Sequence, residues 1–364
     1  MPDIHHIMQS ILSLVIFLVP AVILVFFLLF NIMYLPYMER KVLAHMQSRL
    51  GPMRAGWHGL LQPIADAVKF LMKEDIIPAK ADKWVFSIAP LVLFVMAFGA
   101  IAIVPFGPET NFYGLLSHKV PLFISNLNIG VLAIIAFAGL GTYGVIMAGW
   151  ASNNKYSLMG GFRSAAQMIS YEIPMAFAIV TVALMAGSLN LTDIVMAQQQ
   201  RWFILALPVG PVAFFLYLIA GIAETNRVPF DLPEAENELV AGYFTEYSGI
   251  RFGLFYMAEY VNMMVVSLLV SIMFLGGWLP VQLLPRTLGH LAHIAWINRM
   301  LAAIPPIFWL FGKLYFFIFF YIWLRATLPR YRYDQLMTIS WKVLLPLSLG
   351  ALLAAAGMKQ LGWL

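Results

Sequence analysis

The chain has 364 residues, of which 62% are hydrophobic and only 11% charged, with no cysteine and a formal net charge of +5. Soluble domains carry about 25% charged residues, so this composition excludes a disordered chain, a disulfide-stapled secreted scaffold and a nucleic-acid binder. It leaves an all-α polytopic membrane protein.

A helix crosses the hydrocarbon core in about 20 apolar residues. In chain order the qualifying segments are Ile11–Tyr34, Val85–Val104, Leu127–Ala148, Ala165–Ala186, Phe203–Ala223, Phe255–Leu279, Ala303–Leu324 and Ile339–Ala356. Their apolar runs are continuous rather than alternating, which excludes a membrane barrel. They read as one integral membrane domain over 1–364. The first segment follows MPDIHH, which lacks a basic start, so it reads as an uncleaved span. Lys119, Arg201, Arg286, Arg299 and Lys359 lie in or near the connections after even-numbered spans, and Lys313 lies within a span. The other Lys and Arg residues, of 22 in all, gather after spans 1, 3, 5 and 7. The positive-inside rule then places the odd-numbered loops in the cytoplasm and both termini outside.

Three cytoplasmic connections carry their own patterns. The first, 38–84, holds GPMRAG and then GLLQPIADAVKFLMKED. There Leu60, Leu61, Ile64, Ala67, Val68 and Leu71 recur at helical spacing with Gln62, Asp66, Lys69 and Lys73 between them. This predicts an amphipathic helix at the membrane surface. A simple surface anchor explains the same pattern. The second, GWASNNKYSLMGGFRSAAQMISYE, supplies Ser164, Gln167 and Ser170 for polar helix–helix contacts. The third, 224–253, places six acids (Glu224, Asp231, Glu234, Glu236, Glu238, Glu246) beside only Arg227 and Arg251. Glu234 and Glu238 share a helix face. Some of these acids simply suit a helix N-terminus, but that does not account for a cluster abutting membrane spans.

Ionisable residues inside apolar segments are expensive and usually serve a pathway. Glu172 lies in span 4, Glu224 closes span 5, Glu259 begins span 6, Lys313 lies midway along span 7 and Arg325 ends it. The structural alternative is a fixed ion pair, for example Lys313 with Glu172 or Glu259, and Arg325 has the option of snorkelling to the interface. Desolvation and like charge both favour a protonated carboxyl, so crowded acids are suited to relaying protons as a coupled group. The same arrangement suits an electrostatic response to a nearby redox centre. No phosphate loop or nucleophile elbow is present. His290 and His293 have helical metal spacing but no acidic partner close in sequence, so no metal site is expected.

Three stretches in order, MERKVLAHMQSRLGPMRAGWHGLLQPIADAVKFLMKED, GWASNNKYSLMGGFRSAAQMISYE and ETNRVPFDLPEAENELVAGYFTEYSG, closely resemble the H-subunit family of bacterial NADH-quinone oxidoreductase, respiratory complex I. Its mitochondrial counterpart is subunit 1 of NADH dehydrogenase. The resemblance covers essentially the whole chain, with Met53 standing where the family more often has Asn. It implies a membrane component with no complete active site of its own, whose catalytic chemistry belongs to the assembled enzyme. Quinone would be the substrate. NAD, FMN and iron–sulfur clusters would sit in partner subunits and not on this chain, which agrees with the absence of Cys. The partners implied are the peripheral-arm subunits on the cytoplasmic side, the other membrane-arm subunits and lipids, in a bacterial inner membrane. The resemblance also implies a carboxylate chain for proton coupling, comprising Glu172, Glu224, Asp231, Glu234, Glu236, Glu238, Glu246 and Glu259. A quinone cavity lined by Arg40, Arg49, Arg54, Asp66, Lys69 and Arg251 would lie above it. A homologous membrane component of a group-4 hydrogenase or formate hydrogenlyase is a close alternative. A stand-alone secondary transporter would suit the intramembrane Lys313 and acids, although no inverted repeat is visible. A purely structural anchor is a further alternative.

Overall fold

The computed structural model describes residues 2–108, 122–231, 240–280 and 303–362, with side chains from Val22 onward. No strand occurs among the described residues. Helix α1 spans Pro2–Met46 without a break. Its 45 residues extend about 67 Å at 1.5 Å per residue, more than twice the roughly 30 Å hydrocarbon core. The expected first loop therefore opens as helix, and 38–46 project from the bilayer on α1. Helix α2 (Gln62–Met72) follows a turn in which Gly59 sits at φ +81. A Cβ at Gly59 would lie 2.4 Å from the Pro52 carbonyl oxygen, so only glycine fits this turn.

Helices α3 (Lys83–Ile103), α4 (Gly130–Ala151), α5 (Lys155–Ala186), α6 (Leu191–Ala197), α7 (Val209–Glu224), α8 (Gly249–Phe274), α9 (Pro306–Thr327) and α10 (Tyr333–Gln360) complete the bundle. Among the described residues, seven helices are long and apolar enough to cross a membrane. The expected span that falls short is α7, with 16 residues. The span expected at Phe203–Ala223 is interrupted there. A 3-10 turn at Phe203–Leu205 precedes α7, and Gly210 is folded against the Phe203 carbonyl. Pro208 sits at the boundary as the N-cap.

Helix α5 begins ten residues before the expected Ala165. The Asn154 side chain caps it by accepting the Tyr156 N–H. The Gly- and Ser-rich stretch expected as a connection is helical, because its glycines serve close approach rather than chain reversal. A Cβ on Gly149 would meet the Ser157 carbonyl oxygen at 2.7 Å, and one on Gly160 would meet Gly242 Cα at 2.6 Å. Small residues let membrane helices approach this closely.

Helix α8 is the hub. Of its most apolar window 83% is buried, against 28% for α10. It packs on α2, α3, α7 and α9, while α5 packs on α4, α7 and α10. Helix α10 contains a π turn at Ile339–Leu344 that lies on α5. There Ser340 Oγ donates to the Ser170 carbonyl at 2.6 Å and Trp341 Nε1 to Ser170 Oγ at 3.2 Å.

Candidate functional site

The most concentrated polar structure is buried where α1, α8, α9 and the segment after α7 meet. Leu28, Ile32, Leu35 and Glu39 form one buried stripe along α1, so the helical repeat that buries the leucines also carries Glu39 inward. Glu39 is only 4% exposed. Tyr260 Oη donates to its Oε2 at 2.6 Å. Arg227 Nη1 reaches both of its oxygens at 3.3 Å, and Arg325 Nη1 donates to Oε1. Arg227 Nε lies 3.0 Å from Glu259 Oε1. The Arg227 guanidinium also stacks over the Tyr260 ring, 4.4 Å from its centroid, and the Tyr256 and Tyr260 hydroxyls are 3.0 Å apart. Two carboxylates and two guanidiniums thus close a charge-balanced cluster. Burial works against the Arg227 charge, but Glu259, Tyr260 and Glu39 outweigh it and hold this guanidinium well above its ordinary range. A cavity of about 10 Å³ lies against Glu39, Arg227, Tyr321 and Arg325, at most enough for one water.

The segment that carries Arg227 is held from both sides. Gln167 Nε2 of α5 donates to the carbonyls of Ala223 and Phe230 at 2.8 and 2.7 Å. Asn226 Nδ2 donates to Ser164 Oγ at 3.1 Å. From the start of α10, Tyr331 N–H donates to the Pro229 carbonyl at 3.0 Å and its ring stacks on Phe230. Arg330 pairs with Asp231 at 3.1 Å. The expected polar contacts of Ser164, Gln167 and Ser170 are therefore present. Their task is to fix the backbone next to Glu224 and Arg227.

The first-loop residues form a second, more open set. Arg40 pairs with Asp66 at 2.8 Å, and Lys69 approaches the same carboxylate at 3.7 Å. Gln62 Nε2 donates to Asp66 Oδ1 at 3.1 Å. Adjacent α1 residues thus face two ways, Glu39 inward and Arg40 toward α2. Arg49 and Arg54 are exposed, and their side chains have no partner among the described residues. Arg251 pairs instead with Asp75 at 3.3 Å. Helix α2 docks on α8 through Phe70 and Phe252, while Leu61, Ile64, Val68 and Leu71 are exposed. An apolar face turned outward is the form expected of a helix lying in a membrane interface.

The remaining expected residues are dispersed. Glu246 accepts from Asn154 Nδ2 at 2.6 Å, at the start of α5. Glu224 Oε2 is buried without a hydrogen-bond partner among the described residues, beside a cavity of about 30 Å³ between α3, α4, α5, α7 and α8, enough for roughly two waters. Glu224 is near enough to Glu172 to interact with it electrostatically. Glu234, Glu236 and Glu238 lie outside the described residues, as do His290 and His293. Among the described residues no three His, Asp or Glu side chains converge as a metal site would require.

Two expectations are corrected. Lys313 pairs with neither Glu172 nor Glu259. Its ammonium donates to the carbonyls of Leu275, Gly277 and Leu279 at 2.7, 2.7 and 2.8 Å and lies over Trp202. The end of α8 leaves those carbonyls without helical partners, and a buried cation satisfies them. Arg325 does not snorkel but turns inward to Glu39. Sequence reasoning missed Glu39 itself. The signal that would have found it is its place on the Leu28–Ile32–Leu35 stripe.

A family model described as NADH dehydrogenase matches residues 19–356. The chain is 48% identical to the NADH-quinone oxidoreductase H subunit 2 of Rhizobium meliloti (strain 1021), over 93% of this chain and 95% of that protein. It is 49% identical to the NADH-quinone oxidoreductase H subunit of Thermomicrobium roseum, over 90% and 92%. It is 51% identical to the protein of the same name from Magnetococcus marinus, over 88% and 85%.

Proposed function

Because the chain belongs to the NADH dehydrogenase family, among the H subunits of NADH-quinone oxidoreductase, we propose that it lines the quinone-access cavity of that enzyme and couples quinone reduction to proton translocation. It is a multi-pass membrane subunit of an oxidoreductase complex and holds no complete active site alone. In this reading all 364 residues act as one membrane domain that anchors the peripheral arm on the cytoplasmic side. The enzyme sits in a bacterial inner membrane with both termini of this chain periplasmic. NAD, FMN and the iron–sulfur clusters belong to partner subunits, and quinone arrives as substrate from the lipid phase.

The observation that carries the reading is the buried Glu39–Arg227–Glu259 cluster directly beneath the Arg40–Asp66 pair. Reduction of a quinone consumes two electrons and two protons, so negative charge develops at the headgroup until protons arrive. A rigid, charge-balanced cluster next to α2 senses that change with little reorganisation. Glu172 and Glu224, with Asp231, Glu246 and the acids at 234, 236 and 238, then carry the change in proton occupancy away from the quinone. Arg40, Arg49, Arg54, Asp66, Lys69 and Arg251 shape the approach of the headgroup and tail.

The test uses the assembled complex in proteoliposomes. Glu224→Gln is expected to lower protons translocated per NADH oxidised, with assembly intact. An assembled Glu224→Gln enzyme with unchanged proton yield would remove this residue from the coupling chain.

A further inference from the structure

Helix α4 contains several glycines, and most are explained by packing. A Cβ on Gly144 would meet Leu93 N at 2.9 Å and Ala89 O at 3.1 Å, and one on Gly149 would meet Ser157 O at 2.7 Å. These are backbone atoms of neighbouring helices, so smallness there permits close helix approach. Gly139 is different. The nearest atoms to a Cβ at this position all belong to one carboxyl group: Glu172 Oε1 at 2.7 Å, Cδ at 3.4 Å and Oε2 at 3.5 Å.

We propose that Gly139 is a positioning residue for Glu172, its missing side chain forming the seat in which that carboxyl lies. This inference rests on the coupling role given to Glu172 above. No described residue offers Glu172 a hydrogen bond or a cation, so the shape of α4 sets where its carboxyl rests. The seat also borders the cavity that reaches Glu224. Phe137, Ala138 and Gly141 flank Gly139 and line that cavity, as do Met168 and Met175, one turn to either side of Glu172. Displacing the carboxyl therefore changes its access to the space shared with Glu224.

The geometry makes a selective perturbation available. A methyl at 139 collides with the tip of a flexible side chain rather than with backbone, so the carboxyl swings aside and the helices stay in place. Alanine is also the better helix former. The experiment uses the complete complex in proteoliposomes and compares Gly139→Ala, Glu172→Asp, the double variant and Glu172→Gln. Assembly is followed by native electrophoresis, and the readouts are protons translocated per NADH oxidised and the pH profile of that ratio. Gly139→Ala is expected to assemble normally, to lower the ratio at least twofold and to shift its pH profile. Glu172→Asp withdraws the carboxyl by one methylene, so the double variant is expected to recover a ratio above either single variant. Unchanged yield and profile in Gly139→Ala, no recovery in the double variant, or loss of assembly in Gly139→Ala would each overturn the proposal. A normal ratio in Glu172→Gln would instead overturn the coupling role on which it rests.

Discussion

The membrane-buried carboxyls of this chain are handled in two opposite ways. Glu39 and Glu259 are surrounded by Arg227, Arg325 and Tyr260. Glu224 presents a buried oxygen with no partner among the described residues, and Glu172 rests against a glycine. The difference teaches which group is fixed and which is variable. A carboxylate held by two guanidiniums and a hydroxyl has its charge specified by its surroundings. A carboxyl without a cation has nothing to specify its charge, which suits the proton-exchanging role proposed for Glu172 and Glu224.

The largest effect is expected from breaking the first group. Arg227→Met strands two buried carboxylates, and removing one partner of a buried pair costs about 3–5 kcal/mol. The assembled complex should fall sharply on native gels, and undiminished assembly would show that the cluster is not needed for folding. Tyr260→Phe leaves both arginines but removes the hydroxyl from Glu39, a hydrogen bond to a charged group worth about 1.5–3 kcal/mol. A lowered thermal unfolding temperature with retained assembly is the expected result.

A smaller effect is expected at the open set. Asp66→Asn removes the Arg40 pair, in which Arg40 is 47% exposed. Exposed pairs contribute about 0–1 kcal/mol, so stability should hardly change while the KM for quinone or sensitivity to quinone-site inhibitors shifts. Assembled enzyme with unaltered quinone kinetics would place Asp66 outside the cavity. The smallest effect on stability belongs to Glu224→Gln, where the removed carboxyl has no counter-charge to abandon and its burial cost disappears. An unchanged or raised unfolding temperature is expected. A loss as large as that of Arg227→Met would contradict the division into two groups.

Much of the architecture was legible without coordinates. The apolar runs located the membrane helices, and the spacing of Ile64, Ala67, Val68 and Leu71 located α2, because burial in lipid and at its surface acts on local pattern. The Gly- and Ser-rich start of α5 misled, since glycine reads as a break locally and as a contact surface only when Gly149 or Gly242 is opposite. The expected span at Phe203–Ala223 misled for a related reason, as hydropathy does not register a chain that turns back on itself at Gly210.

Residue types and their order along the chain determined the all-α membrane class, the helix count to within one short helix, the amphipathic surface element and the acids worth examining. Tertiary structure decided their partners: Arg227 with Glu39 and Glu259, Arg325 with Glu39, and Lys313 with the carbonyls that end α8. Glu39 and Arg325 are 286 positions apart, so no local pattern relates them. Hydrophobic periodicity is a property of neighbouring residues, whereas charge compensation inside a membrane depends on which helices meet.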